Sequence, residues 1–272
     1  MIENEIRYAY TSHVGKRRSR HEDNFWCGGD FLPPENSGTG KAISGSVSWD
    51  SCPAFAVFDG MGGESRGDMA AFLSARAFGE YRTAHLEDFR KHPGVYIEEV
   101  CGSMNRAVTD YALEHRIDTM GTTAVMTFFH HDGILGANLG DSRLYQLSEN
   151  GLQQLSTDHV AGSGAFSKAP LTQYLGIDEP ETALDPASVV IKAAPGDILL
   201  MCTDGLTDLV RDEEIAGILG GISLADEGNL PETALLLQEK ALERGGRDNV
   251  TVLLLAIPSR KRPLFARWRK AR

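Results

Sequence analysis

Acidic residues stand at the ends of several apolar runs, where carboxylates brought together by folding could do chemistry. Asp59 and Asp204 each follow an apolar run, and each is followed by a glycine and a helix-like segment. Asp248 and the adjacent pair Glu22 and Asp23 come just before apolar runs. Taken singly, such residues are explained by turns and helix caps. Their repetition instead indicates carboxylates that converge at one edge of a sheet, where a cation would relieve their repulsion.

The residue types narrow the choice of cation. Carboxylate oxygens, with neither thiols nor a histidine cluster beside them, favour Mg²⁺ or Mn²⁺ over Zn²⁺. Gly60 follows Asp59 and lets the backbone approach closely, so its carbonyl can serve as a further ligand. No stretch of the sequence matches the calcium loop D-x-D-x-D-G with a glutamate at the twelfth position. The sequence therefore predicts a magnesium or manganese site.

Short strands and helices must position these carboxylates. Connections as short as HHDG and GDS can join antiparallel strands but cannot contain a crossover helix. Residues 28–50, rich in Gly, Ser and Pro, are predicted to form a surface loop. The whole pattern predicts an α+β layered domain. Strands are predicted at 55–58, 122–129, 134–139, 143–147, 188–193, 198–202 and 249–257. Helices are predicted at 69–81, at 97–112, after Asp212 and at 232–244.

The composition is that of an ordinary globular chain with an acidic balance. Its 272 residues are 42% apolar and carry a formal charge of −11, which argues against broad nucleic-acid binding. The four cysteines form no C-x-x-C pair and no zinc-type spacing, so we expect reduced thiols. The first ten residues lack the apolar core of a signal peptide, and the apolar run at 250–257 is too short to span a bilayer. We expect one domain at 1–258 and a cytoplasmic location.

Residues 259–272 form a basic tail, which holds seven Lys or Arg residues and no acid. One interpretation is a solvated terminus. The other is docking to an acidic partner or a membrane surface, because Leu264, Phe265 and Trp268 give the tail some amphipathic character.

An ordered series of motifs resembles the metal-dependent protein phosphatases, also called protein phosphatase type 2C, and in particular their bacterial serine/threonine branch. The series spans nearly the whole chain apart from the basic tail. A single motif is weak evidence, whereas seven in order are highly specific. The motifs are GKRRSRHEDNF (15–25), VFDGMGG (57–63), DTMGTTAV (118–125), ANLGDSRLY (137–145), STDHV (156–160), LLMCTDGLTD (199–208) and GGRDNVTVLLL (245–255).

The resemblance implies a four-layer αββα sandwich, in which two antiparallel sheets are flanked by helices and a metal site lies at one edge between the sheets. It implies a hydrolase of phosphoserine and phosphothreonine in proteins, active in bacterial signalling. Two Mn²⁺ or Mg²⁺ ions would share a bridging water that attacks phosphorus directly. Asp59 matches the carboxylate that bridges both ions, and Gly60 the carbonyl ligand. Asp204 and Asp248 match the remaining direct ligands.

Further site residues follow from the same resemblance. Glu22 and Asp23 match an acidic pair that holds metal-bound waters. Asp118 falls on the position of a third, weaker metal site, and Asp208 could support that site through water. Arg18 matches the arginine that grips the substrate phosphate. Its basic neighbours leave open that it belongs to a solvated charged face.

The sequence also departs from the family pattern. Met61 stands where eukaryotic members often have histidine, so the proton donor to the leaving group stays undetermined. The flap at 161–174 is shorter than in most bacterial members, which predicts a more open cleft. The long 28–50 segment could shape the rim of that cleft instead. We expect a structural turn at 140–143, with Asp141 and Arg143 tied locally, and a packed, hydrogen-bonded His159.

Two other functions compete with the phosphatase. A catalytically silent phosphoprotein-binding module of the same fold would be marked by lost metal ligands, yet Asp59, Asp204 and Asp248 are all present. A two-metal nuclease uses similar chemistry, but the acidic balance of the chain disfavours it. The expected partners are phosphorylated proteins and an opposing Ser/Thr kinase, with no nucleic acid, and we expect a monomer.

Overall fold

A computed structural model describes residues 4–61, 66–162, 169–177, 183–222 and 229–258. The strands in these ranges form two antiparallel sheets. Their bounds are β1 (Glu5–His13), β2 (Asp23–Cys27), β3 (Ile43–Ser48), β4 (Ala54–Met61), β5 (Gly121–Thr122), β6 (Ala124–His130), β7 (Gly133–Leu139), β8 (Arg143–Ser148), β9 (Gly151–Gln154), β10 (Ala187–Ile191), β11 (Ile198–Cys202) and β12 (Val250–Ala256). The first sheet has the order β3-β1-β12-β11-β8-β9. The second has the order β10-β7-β6-β4-β2, with β5 paired to β4.

Helices cover the outer faces of both sheets. Their bounds are α1 (Gly67–Ala84), α2 (Leu86–Lys91), α3 (Pro93–His115), α4 (Asp204–Thr207), α5 (Asp212–Leu219) and α6 (Asn229–Glu243). Helices α1, α2 and α3 share an apolar cluster with the second sheet, and α4, α5 and α6 share one with the first. Within the described ranges, no helix is long and apolar enough to cross a bilayer.

Strand β4 shows how the layers are held together. Ala54, Ala56 and Phe58 pack toward the helices, whereas Phe55 and Val57 pack between the two sheets. Successive side chains of a strand point to opposite faces, so a strand buried on both faces reads as a continuous apolar run. Each large apolar side chain buried in this way contributes about 1.5–3 kcal/mol. The predicted four-layer αββα sandwich is confirmed.

Most of the predicted elements are confirmed. All seven predicted strands and all four predicted helices are present, with ends that move by a few residues. The prediction of a surface loop at 28–50 is wrong in part, because Ile43–Ser48 forms β3 and Trp49–Ser51 a 3₁₀ turn. Ile43 and Val47 hold this strand in place by packing against the cluster between the sheets. The basic tail and residues 163–168 of the flap lie outside the described residues.

Candidate active site

The strand ends that carry the predicted carboxylates meet at one edge of the sandwich. In the second sheet, Asp23 begins β2 and lies directly opposite Asp59, near the end of β4. In the first sheet, Asp204 follows β11 and Asp248 precedes β12, and these two strands are antiparallel neighbours. A strand that ends and an antiparallel neighbour that begins share one edge of a sheet. Both sheets therefore present carboxylates at corresponding edges.

Asp23 joins the two sheets at this edge. Its Oδ2 accepts hydrogen bonds from Thr203 Oγ1 at 2.9 Å and from Thr251 Oγ1 at 2.7 Å, and both threonines belong to the first sheet or its flanking turn. Burial raises the pKa of Asp23 well above its usual value, and the charge of Asp59 raises it further. The two threonine hydroxyls oppose this shift because they stabilise the ionised form.

Glu22 is the second buried acid of the site. Burial raises the pKa of its carboxyl group, Arg18 opposes that shift, and Asp68 and Asp248 reinforce it. Oε1 of Glu22 and Oδ1 of Asp23 are buried and accept no hydrogen bond from any described residue. Buried carboxylate oxygens without a donor are costly unless a ligand satisfies them. These two oxygens are therefore suited to a cation or to its bound waters.

Gly60 allows three chain segments to meet beside Asp59. A Cβ atom at this position would lie 2.2 Å from the carbonyl oxygen of Gly67 and 2.5 Å from that of Glu22, so no larger residue fits. The Gly60 N–H donates to the Glu22 carbonyl at 3.0 Å. Thr123 fixes Asp59 itself, because its Oγ1 accepts the Asp59 N–H at 3.0 Å and its N–H donates to the Asp59 carbonyl at 2.9 Å.

Arg18 lies against the carboxylates, not on a separate basic face. Its Nη2 donates to Asp248 Oδ2 at 2.7 Å, and its Nη1 is 3.8 Å from Glu22 Oε2. Partial burial acts to lower the pKa of Arg18, but the hydrogen bond and charge of Asp248 outweigh it and raise the pKa. The side chain is still 45% exposed. A guanidinium group that stays charged and can be reached from solvent is suited to bind an anion.

Asn249 is a site residue that the sequence did not single out. This buried side chain accepts the Glu22 N–H at 2.7 Å and donates to the carbonyls of Val14 and Arg20, at 2.8 Å and 3.0 Å. It therefore fixes the loop that carries Arg18 and Glu22. Its only sequence signal is its place beside Asp248.

Asp68 is a second residue that sequence reasoning missed. It stands in the first turn of α1, where an acid is ordinary helix chemistry. Its charge nevertheless raises the pKa of Glu22, and its Oδ1 lies 3.5 Å from Arg66 Nε. Asp68 thus belongs to the electrostatic surroundings of the site.

The two remaining predicted residues, Asp118 and Asp208, are both exposed. Asp118 is exposed on the turn that leads into β5, which pairs with Gly60 and Met61. Asp208 is exposed at the end of α4, and its N–H donates to the Asp204 carbonyl at 2.8 Å. The structure gives both positions without showing a metal role for either.

The prediction that Arg143 is tied locally is confirmed in part. Its Nη1 donates to the Tyr145 hydroxyl at 3.0 Å, but its Nη2 also pairs with Asp158 Oδ2 at 2.7 Å, fifteen residues farther along the chain. His159 is hydrogen-bonded as predicted, since its Nδ1 accepts the Gly140 N–H at 3.2 Å. Burial lowers the pKa of this histidine.

The donor set fits hard divalent cations. All predicted side-chain ligands are carboxylates, and the Gly60 carbonyl adds another oxygen. Within the described residues, no three of these carboxylates bring ligand oxygens within 4.8 Å of one another. Water can fill the remaining positions around a hard divalent ion, as it usually does around Mg²⁺.

Comparison with known proteins identifies the family of the chain. Residues 42–226 match the family model described as protein phosphatase 2C. The chain belongs to the protein phosphatase 2C family. It is 33% identical, over 261 residues, to the serine/threonine phosphatase stp of Listeria welshimeri, an alignment that covers 89% of this chain and 92% of that protein.

Solved structures of serine/threonine phosphatases superpose on nearly the whole chain. The serine/threonine phosphatase PstP/Ppp of Mycobacterium tuberculosis superposes with a TM-score of 0.70 at 26% identity and covers 93% of this chain and 99% of its own. A catalytic domain of PstP in complex with two manganese ions superposes with the same TM-score of 0.70 at 28% identity, again over 93% and 99% of the two chains.

Proposed function

We propose that this chain is a metal-dependent protein serine/threonine phosphatase that hydrolyses phosphoserine and phosphothreonine. One observation carries the proposal: carboxylates from both sheets converge at one edge of the sandwich beside a charged, reachable arginine. Membership of the protein phosphatase 2C family supports it, as does the similarity to phosphatases named for serine and threonine.

Asp59, Asp204 and Asp248, with the Gly60 carbonyl, would hold two Mn²⁺ or Mg²⁺ ions. When bound, such ions lower the pKa of water to make a nucleophile and offset the charge that develops on the phosphoryl oxygens. Glu22 and Asp23 would orient water ligands through their buried oxygens. The manganese-bound PstP domain supports the choice of metal.

Arg18 would bind the substrate phosphate. Its planar guanidinium can donate two parallel hydrogen bonds to phosphoryl oxygens. Asp248 holds the guanidinium over the carboxylates at 2.7 Å, so the phosphate would be drawn to the same edge of the sandwich. The arginine would orient phosphorus toward the attacking water and stabilise the added charge of the transition state.

Water is the proposed nucleophile, in place of a side chain. All four cysteines are buried free thiols. Burial raises the pKa of Cys27, Cys101 and Cys202, and it holds them as unreactive thiols. This supports direct hydrolysis without a covalent phosphoenzyme.

Several finer assignments belong to the same proposal. Asp118, with Asp208 acting through water, would hold a third and weaker ion. Mg²⁺ would replace Mn²⁺ where it is more abundant. The chain would act as a cytoplasmic monomer that opposes a Ser/Thr kinase and binds no nucleic acid, and its basic tail at 259–272 would contact an acidic partner or a membrane surface.

The test is hydrolysis of a phosphothreonine peptide by wild type, by Asp59→Asn and by Asp110→Asn, with Mn²⁺ or with EDTA. Asp110 is an exposed acid on α3 and serves as the matched control. We expect wild type and Asp110→Asn to need metal and to be equally active, and Asp59→Asn to lose at least about a hundredfold in kcat/KM. Equal turnover by wild type and Asp59→Asn would overturn the assigned site. Peptide binding without turnover in saturating Mn²⁺ would instead identify a silent binding module.

A further inference from the structure

The turn between β6 and β7 gathers two histidines and an aspartate at a place that the phosphatase chemistry does not use. His130 ends β6, and His131 and Asp132 form the two-residue turn. Thr123, which fixes Asp59, lies at the opposite end of β6. Seven residues of strand, at about 3.3 Å each, separate the two ends by about 23 Å.

The Asp132 carboxylate of this turn lies at metal-ligand spacing from a nitrogen of each histidine. Asp132 Oδ2 lies 3.6 Å from His130 Nδ1 and 3.2 Å from His131 Nε2. One potential ligand atom from each of the three residues lies within 4.8 Å of the others. A tetrahedral ion with bonds of about 2.0–2.2 Å places neighbouring ligand atoms about 3.3 Å apart. The carboxylate already stands near that separation from both imidazoles.

The surroundings of His130 provide an independent indication. The ring is buried and packs edge-on against Phe89, with 5.4 Å between the ring centroids. Its Nε2 lies 3.1 Å from the Arg90 carbonyl oxygen. A carbonyl can only accept, so Nε2 carries the proton and Nδ1 keeps its lone pair. That lone pair faces the turn, where it accepts a hydrogen bond of 3.2 Å from the Asp132 N–H, and an ion bound at Nδ1 would displace this bond.

In protein metal sites, a histidine ligand almost always donates its other ring N–H to a carboxylate, a backbone carbonyl or water. The Arg90 carbonyl thus fixes the ring of His130 in the tautomer in which Nδ1 can bind a metal ion. His131 and Asp132 are exposed, so an ion can reach the turn from solvent and the two side chains can close on it.

We propose that His130 Nδ1, His131 Nε2 and the Asp132 carboxylate bind one borderline divalent transition-metal ion, of the Zn²⁺, Cu²⁺ or Ni²⁺ class. Two imidazoles and one carboxylate favour these ions over Mg²⁺, Mn²⁺ and Ca²⁺. The site thus differs in metal preference from the all-oxygen cluster at Asp59. A bound ion would join the β6–β7 turn to α2 through His130 and the Arg90 carbonyl.

The test uses the full chain without an affinity tag, in saturating Mg²⁺, which occupies hard oxygen sites and is silent in electron paramagnetic resonance. Zn²⁺ affinity is measured by calorimetry, and the number of coordinated nitrogens is read from the hyperfine structure of one equivalent of Cu²⁺. The variants are His131→Ala and Asp132→Asn. His115→Ala, an exposed histidine on α3, is the matched control.

We expect two imidazole nitrogens on Cu²⁺ in wild type and one in His131→Ala. Loss of a residue that only hydrogen-bonds to a metal ligand costs about 10–100-fold in metal affinity. Each variant removes a ligand itself, so it should weaken Zn²⁺ binding at least about tenfold, while His115→Ala leaves the affinity unchanged. His130→Ala is unsuitable because the ring is packed in the core. A change in the ¹⁵N chemical shift of His130 Nδ1 on Zn²⁺ addition would show its coordination instead. Equal Zn²⁺ affinity in wild type and His131→Ala would overturn the proposal and leave His131 and Asp132 as an ordinary ion pair.

Discussion

Asn249 holds the loop that carries Arg18 and Glu22 in place with a single side chain. It makes three hydrogen bonds, a buried one with the Glu22 N–H and two partly buried ones with the carbonyls of Val14 and Arg20. An amide can donate and accept at once, whereas a carboxylate can only accept and an alanine can do neither. The loop that carries Arg18 is therefore held by a residue that is not among the proposed metal ligands.

We predict that Asn249→Ala weakens both stability and catalysis. Leaving one buried backbone group without a partner costs about 1–3 kcal/mol, so the midpoint of thermal unfolding should fall. Because the loop would no longer hold Arg18 over the carboxylates, KM for a phosphothreonine peptide should rise by about tenfold or more. Steady-state kinetics well below the melting temperature would check this.

Asn150→Ala is the control, because Asn150 is exposed in the β8–β9 turn. It should match wild type in both measurements. If Asn249→Ala lost stability but kept the wild-type KM, the positioning role would be wrong and the residue would be purely structural.

The role of a single residue could be predicted from the sequence only where the neighbouring residues form a recognisable pattern. Asp59 and Asp204 stand between an apolar run and a helix, a pattern that is visible along the chain. Asn249 and Thr251 act through hydrogen bonds to residues more than 200 positions away, which no local pattern encodes. Asp68 looked like an ordinary first-turn acid, and only the fold brings its charge near Glu22.

At the scale of elements, the junction between β4 and α1 sets how closely the helix approaches the site. Gly60 in β4 and Gly67 at the start of α1 face each other, and a Cβ atom on either would lie under 3 Å from the backbone of the other. The carbonyl of Gly60, a proposed ligand, lies within this contact. Any side chain here would push apart the elements that carry Asp59 and Asp68.

We predict that Gly60→Ala destabilises the fold by about 1–3 kcal/mol or more, the usual range for overpacking a close contact. Metal-dependent activity should fall with it, since the Gly60 carbonyl and Asp59 would both move. Chemical denaturation and a phosphatase assay would check the two effects. Gly217→Ala in α5 is the matched control, because a Cβ there meets nothing within 4 Å. That change should be neutral or slightly stabilising, since alanine has the higher helix propensity. Wild-type stability of Gly60→Ala would show that the junction is not tight.

Strands and helices could be predicted from the sequence where their burial requires a recognisable run of apolar residues. β11 and β12 are buried along their whole length and read as uninterrupted apolar runs. β3 was missed because it is an edge strand with sequence ISGSVS, in which only Ile43 and Val47 pack against the core. Its pairing with β1 is a tertiary contact, and residues rich in glycine and serine look like a loop without it.

At the scale of the molecule, the proposed ligands are divided between the two sheets. Asp59 belongs to the second sheet, whereas Asp204 and Asp248 flank strands of the first. Without a cation, these like charges at one edge oppose the packing of the sheets. A cation bound by both sides would instead act as a cross-link between the two halves of the sandwich.

We therefore predict that Mn²⁺ stabilises the whole fold. A ligand that binds only the native state adds RT ln(1 + [L]/Kd), which is about 2.7 kcal/mol at a hundred times Kd. In chains of 150–250 residues, 1 kcal/mol shifts the melting temperature by about 2–4 °C. This chain is slightly longer, so the lower value applies, and the midpoint should rise by about 5 °C between EDTA and saturating Mn²⁺. Circular dichroism during thermal unfolding would measure the shift.

Asp204→Asn should lose most of this Mn²⁺-dependent shift, because it removes a ligand from the first sheet, and Asp110→Asn should retain it. His131→Ala should also retain it, since Mn²⁺ prefers oxygen ligands to the imidazoles of the β6–β7 turn. An equal shift in Asp204→Asn and wild type would mean that Mn²⁺ stabilises the chain from another place and that the sheets are not joined through Asp204. A shift confined to proteins that retain Asp204 would tie the stability of the sandwich to the same carboxylates that are proposed to support catalysis.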